Sequence, residues 1–233
     1  MPINPLGEQI QAIQAGLPAS VKLIAVSKTV PSEVLRVAYE AGLRDFAESR
    51  VQEALPKQAE LADLTDICWH FIGHLQGNKA RKVIEHFPWI HSVHSLELAQ
   101  RLNQLAIALE RHPQICLQVK LLPDEHKSGW HPDQLRQDLP ILETLTQIKI
   151  QGLMTILPLG LSTEERLHTF QALDTLRRSL IQTSSLTLPE LSMGMSNDYP
   201  EAIRAGATMV RLGSLLFGDR DPSPTGQSAK STT

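Results

Sequence analysis

Short apolar runs alternate with longer amphipathic ones along almost the whole of this 233-residue chain, and that alternation limits its fold more than any other feature. The strand candidates are 21–27, 45–47, 68–72, 89–93, 115–121, 148–156, 190–193 and 208–212. Between them, 32–41, 51–62, 79–87, 96–110, 133–146, 164–183 and 199–205 read as helices, most with apolar residues about 3.6 positions apart. An extra helix, 7–15, precedes the first strand. Strict β–α alternation requires a parallel sheet covered by helices. Eight such units predict the α/β class and closure into a single TIM-like (β/α)8 barrel, with a doubly wound open sheet as the alternative. No Gly-x-Gly-x-x-Gly follows the first strand, which counts against a dinucleotide fold. The barrel is expected to occupy 1–220. Residues 221–233 are polar, rich in Ser, Thr, Pro and Gly, and are expected to form a disordered tail.

Charge and composition exclude several classes. The formal net charge is −3, and the short basic run from Lys79 to Lys82 reads as a solvated helix face, so nucleic-acid binding has no support. No apolar stretch approaches the ~20 residues needed to span a bilayer. Residues 1–16 lack the basic-then-apolar layout of a signal peptide, so a cytoplasmic location is expected. Cys68 and Cys116 lie in apolar, strand-like runs and are read as buried and reduced. The nine histidines lack the spacing of a zinc site, and no metal site is expected. His70 and His74 are four apart but separated by Gly73 at a strand end; His70 is read as a satisfied core histidine, and Asn78 as a helix cap.

The first strand ends in chemistry. Read with period two, Ile24, Val26 and Lys28 share one face, and Leu23, Ala25 and Ser27 the other. Lys28 therefore stands at the C-terminal end of a covered strand, where barrels of this kind place their reacting groups. It is either a solvated lysine or a Schiff-base amine. Attack on a carbonyl carbon requires the neutral amine, which apolar walls and nearby cations favour.

The last two units supply a candidate anion seat. Leu191 to Asp198 runs from a short strand into a helix; Gly194 permits an unusual backbone angle or a close ligand, and Ser196 is either an N-cap or an anion ligand. In the final unit Gly213 and Ser214 open a short helical turn that Gly218 closes. Loops after the seventh and eighth strands, with a short extra helix, form a recurrent phosphate site in barrels. Arg211, near the end of the eighth strand, needs a partner: an acid from another strand, or an acceptor on a ligand.

Taken together, the runs Ala25–Thr29, Arg50–Glu53, Trp69–Lys79, Gly152–Thr155 and 191–196 resemble the pyridoxal-phosphate homeostasis protein family, in the same order from about Val21 to Gly218. The resemblance implies a fold type III barrel like that of alanine racemase. It implies pyridoxal 5′-phosphate (PLP) held as a Schiff base on Lys28, with phosphate contacts from Ser196, Gly213 and Ser214, Arg211 facing the ring nitrogen, and Met195 among the cofactor-binding residues. It implies a carrier of PLP in vitamin B6 and amino-acid homeostasis, with no catalytic residues; a monomer is expected, with amino acids or PLP-dependent apoenzymes as partners. An amino-acid racemase is the enzymatic alternative, and an aldolase using Lys28 without PLP a third. The family's Phe-Gly-Glu-Asn-Arg reads Phe46-Ala47-Glu48-Ser49-Arg50 here, so the shorter Ser49 stands where an asparagine would lie near the ring. Lys127 resembles the lysine of the family's loop after the fifth strand and is expected in solvent.

Overall fold

The computed structural model describes residues 5–124 and 127–218. The strands are β1 (Lys22–Val26), β2 (Asp45–Glu48), β3 (Cys68–Phe71), β4 (Trp89–Val93), β5 (Gln114–Gln118), β6 (Lys149–Met154), β7 (Glu190–Ser192) and β8 (Met209–Leu212). They run parallel in chain order and close into a barrel, with β8 beside β1 and Arg211 opposite Ile24. The closed barrel is the predicted fold, and the open sheet is excluded. The tail 221–233 lies outside the described residues.

The helices are α1 (Pro5–Gly16), α2 (Ser32–Glu40), α3 (Val51–Glu60), α4 (Ala80–His86), α5 (Leu96–Leu109), α6 (Pro132–Leu142), α7 (Thr163–Thr183), α8 (Tyr199–Arg204) and α9 (Ser214–Phe217). Local chemistry sets several boundaries. Ser162 and Glu165 form a capping box that starts α7, and Ser95 caps α5, which ends at Glu110 in the left-handed conformation. Asn78 does not cap α4; it sits within a 3₁₀ turn, Gly77–Lys79, that precedes the helix and has no side-chain cap. Among the described residues no helix is long and apolar enough to cross a membrane.

Period two along the strands sorts the apolar residues into two cores. The larger, between barrel and helices, takes Leu23, Ala25, Phe46, Ile90, Val93, Leu117 and Leu153 from the strands, and Leu35, Leu102 and Leu173 from the helices. Truncating such a fully buried leucine to alanine costs roughly 2–5 kcal/mol. The smaller core fills the barrel itself with Ile24, Val26, Ala47, Trp89, Cys116, Met154 and Met209. Two register shifts interrupt the alternation, one between Ile90 and Val93 against β5, the other between Ile115 and Cys116 against β6. The first lets Ile90 and Val93, three positions apart, both point outward. Inside, the barrel also buries His70, His91, Ser192 and Arg211.

Candidate functional site

Lys28 follows β1 on the same face as Ile24 and Val26, which puts it at the C-terminal mouth of the barrel, exposed. The backbone on either side of it is held tightly. Thr29 takes a left-handed φ of 62°, a strained conformation for a β-branched residue. Its N–H donates to Glu53 Oε1. Lys57 Nζ donates to Ser27 O at 2.8 Å, to Glu48 Oε1 at 2.9 Å and to Glu53 Oε1 at 2.8 Å. Ser27 Oγ donates to Glu48 Oε1 at 2.7 Å. One buried ion cluster on β2 and α3 therefore grips the peptide groups before and after Lys28. Burial pushes the Glu48 carboxyl above its ordinary value although Lys57 opposes this. Glu53 is desolvated too, but its bonds to Lys57 and Thr29 bring it below.

The anion seat forms where β7 and β8 end. Gly194 has φ 92°, and a Cβ there would lie 2.6 Å from Ala202 Cβ and 3.0 Å from Tyr199 Cα. Its glycine therefore serves both an unusual angle and close packing against α8. Ser196 does not cap α8: the cap position is Asp198, whose Oδ1 accepts from Met195 N at 2.6 Å. Ser196 Oγ instead accepts from the backbone N–H of Gly213 at 3.3 Å and of Leu215 at 3.2 Å. Two backbone donors at the start of α9 thus converge on one point at the mouth, beside the exposed Ser214. The extra helix α1 supports this corner through Gln9 Nε2, which donates to Leu215 O at 2.7 Å.

Arg211 enters the barrel interior from β8 and is 3% exposed. The acid partner weighed from the sequence is not what holds it: Nη1 donates to Ser192 Oγ at 2.7 Å and Nη2 to Thr155 O at 3.0 Å. Burial lowers its pKa to about 10, still well above neutrality, with Asp198 supporting the charge. Ile24 is the β1 residue opposite Arg211, so Lys28 stands four residues further along that strand direction, roughly 13 Å at 3.3 Å per residue. The amine sits at the rim and the guanidinium deep below it.

These groups meet in one cavity of about 440 Å³, lined by Lys28, Met195, Ser196, Arg211, Gly213 and Ser214. That volume suits a small organic ligand, for which pockets run roughly 300–1,000 Å³. An amine, a guanidinium and a cradle of N–H donors match an aldehyde, a ring nitrogen and a phosphate, so the residues present fit PLP. Ser49 is not among the lining residues; its carbonyl instead packs on Gly73, where a Cβ would come within 2.0 Å.

Part of the lining lies outside the sequence motifs. Arg166, Asn197 and the loop Leu157–Gly160 also border the cavity. Arg166 Nη1 donates to Asn197 O at 2.8 Å. Its signal was available: a cation in the first turn of α7, where the helix dipole disfavours one. Lys127 is not in solvent. It pairs with Asp124 at 2.8 Å and donates to Leu157 O at 2.7 Å, tying the loop after β5 to the cavity wall. His70 is the satisfied interior histidine expected, bonded to Asp45 and His91 at 2.9 Å each. Asp45, Cys68 and His70 gather possible metal donors within 4.8 Å at the opposite mouth. There the carboxylate already pairs with His70 and, at 3.4 Å, with Lys22. Burial pushes the half-buried Cys68 thiol up to about 11, and Cys116, fully buried, higher still.

The model of the alanine racemase N-terminal domain family matches residues 4–221, and this barrel places the chain in that class. Within it, the chain belongs to the pyridoxal phosphate homeostasis protein family. The protein of that name from Synechocystis sp. (strain PCC 6803) is 61% identical over 208 residues, covering 89% of this chain and 95% of its own. PipY of Synechococcus elongatus PCC7942, solved with PLP bound, is 53% identical with a TM-score of 0.89, over 91% of this chain and 100% of that one. An alanine racemase from Clostridium difficile 630 is 18% identical with a TM-score of 0.76, and the match covers 57% of it. That likeness is one of fold.

Proposed function

We propose that this chain binds pyridoxal 5′-phosphate in the cavity between β1, β7 and β8, linked covalently to Lys28, and serves intracellular vitamin B6 and amino-acid homeostasis as a carrier rather than an enzyme. The cofactor brings an aldehyde, a ring nitrogen and a phosphate. Lys28 supplies the amine, fixed by its gripped backbone. Ser196, Gly213 and Ser214 hold the phosphate, and Arg166 adds positive charge beside them. Arg211 donates a hydrogen bond to the ring nitrogen, and Met195 closes the wall. The observation that carries the reading is that Lys28, Arg211 and the Ser196–Gly213–Ser214 corner line one cavity. It is supported by PipY, a relative of 53% identity solved with PLP.

The exposure of Lys28 fits a cofactor that enters and leaves. We place the protein in the cytoplasm as a monomer, passing PLP to apoenzymes or reacting with free amino acids. Racemisation would require a second acid–base group opposite the lysine. Of the two tyrosines, Tyr39 lies on α2 and bonds Asp66 at 2.6 Å, and Tyr199 opens α8; neither lines the cavity. Incubation with PLP should give a visible absorption band, and borohydride reduction followed by peptide mapping should place the adduct on Lys28. A Lys28→Ala protein that retains the same bound chromophore would remove the basis for this reading.

A further inference from the structure

A guanidinium inside a barrel needs acceptors for the N–H groups it turns away from the cavity. Those of Arg211 lead down the barrel. From Ser192 Oγ, which accepts from Arg211, the chain continues to His91 Nδ1 at 2.7 Å. His91 Nε2 lies 2.9 Å from His70 Nδ1, and His70 Nε2 lies 2.9 Å from Asp45 Oδ1. Asp45 pairs with Lys22 at the opposite mouth at 3.4 Å. His70, His91 and Ser192 are each at most 1% exposed. Trp89 stacks on His70, with ring centroids 5.7 Å apart and planes 18° from parallel, which locks the ring.

Donor chemistry gives the chain one direction. Arginine only donates, so Ser192 accepts from Arg211 and its hydroxyl proton goes to His91 Nδ1. His91 is then protonated on Nε2 and donates to His70 Nδ1; His70, also protonated on Nε2, donates to the Asp45 carboxylate. With both rings neutral and Asp45 ionised, every donor has an acceptor. The opposite polarity would need a protonated Asp45 and would strip the Ser192 hydroxyl of this acceptor. Burial lowers both imidazole pKas, that of His91 strongly. Burial also pushes the Asp45 carboxyl up, but His70 and Lys22 bring it below its ordinary value.

We infer that Asp45, His70, His91 and Ser192 are positioning residues for the cofactor: one polarised hydrogen-bond chain, anchored at the far mouth of the barrel, orients the Arg211 guanidinium toward the ring nitrogen. The inference rests on the PLP reading given above and names how that site is tuned from a distance.

Two measurements on the full chain test it. Imidazole ¹⁵N NMR of the unsubstituted protein is expected to show His70 and His91 as neutral Nε2–H tautomers, and saturation with PLP to move both sets of resonances, although neither residue lines the cavity. Asp45→Ala and Ser192→Ala are expected to weaken PLP binding roughly tenfold, the scale of one lost hydrogen bond to a charged group, and to shift the visible band of the bound cofactor. Ser192→Thr, which keeps the hydroxyl, restores both. A purely structural role would lower thermal stability while leaving band and affinity unchanged. That result, or His70 resonances that stay put at saturation, overturns the chain. The NMR arm decides the matter even where an alanine variant does not fold. An unsubstituted protein that takes up no PLP on Lys28 defeats the binding reading and this inference together, whereas uptake with unaltered variants defeats only the inference.

Discussion

Replacing Lys57 with methionine tests how firmly the Lys28 backbone is clamped. The Lys57 side chain is 10% exposed and that of Glu48 0%. Lys57 makes three hydrogen bonds, to Ser27 O, Glu48 Oε1 and Glu53 Oε1. Among the described residues Glu48 Oε2 has no hydrogen-bond partner even with Lys57 present. Methionine keeps helix propensity and most of the volume but leaves the Glu48 carboxylate with the Ser27 hydroxyl alone. Breaking a buried pair from one side costs roughly 3–5 kcal/mol. Protonation of Glu48 limits that cost. Its ordinary pKa is 4.5, so protonation at pH 7 costs at most about 3.4 kcal/mol at 1.36 kcal/mol per pH unit. At pH 5.5 the ceiling falls to about 1.4 kcal/mol. Lys57→Met should therefore lose about 3 kcal/mol at pH 7 and markedly less at pH 5.5, and adding Glu48→Gln should recover much of the loss at pH 7. Urea unfolding followed by circular dichroism at the two pH values measures this. A loss under about 1 kcal/mol, or one equal at both pH values, would show that Lys57 does not neutralise a buried charge.

Two further predictions follow from the interior. His70 and His91 have folded-state pKas below 6.5, so below that pH the unfolded chain binds more protons than the folded one; stability should hold above pH 6.5 and fall as pH drops from there, by up to roughly 2.7 kcal/mol per pH unit for two protons, and a flat profile between pH 6.5 and 5.5 would contradict the neutral assignment. A Cβ on Gly152 would lie 1.9 Å from Glu190 O across the β6–β7 pair; Gly152→Ala should cost about 3 kcal/mol or more in urea unfolding, at or beyond the upper end of overpacking, because the clash is with backbone.

The sequence carried the barrel because each strand is covered on both faces and each helix shows its stripe; that information is local. Lys28 was legible as an inward residue because period two holds through β1, where Ile24 and Val26 do point inward. Arg211 was legible as a buried cation needing a partner, but not its partner. Ser192 is 19 positions away and His91 a further 101 from Ser192, distances that no local pattern spans. Period two failed at the two register shifts, since a bulge adds one residue without any fixed residue type. Lys127 was misread because its acceptor, Leu157 O, belongs to a loop brought beside it only by closure of the barrel. Nothing in the local pattern marks Glu48, Glu53 and Lys57 as one cluster. They meet because α3 brings Glu53 and Lys57 beside Glu48 of β2 and beside Ser27 just past β1.

The register between β8 and β1 explains why this barrel suits holding a cofactor. Arg211 pairs across from Ile24, well below the rim, so a ligand that reaches both Arg211 and Lys28 must stand along the barrel axis, with its anionic end at the mouth near Ser196 and Gly213. Arginine donates a hydrogen bond yet keeps its own proton, so a ring nitrogen facing it remains unprotonated and the ring a weak electron sink. On the proposed reading, a lysine forming the link, a cradle holding the phosphate and a guanidinium withholding a proton would together favour retention over turnover. On that reading the mouth, where Lys28 and Ser214 are exposed, would govern exchange with solvent, while the buried Arg211 would govern the electronic state of what is held.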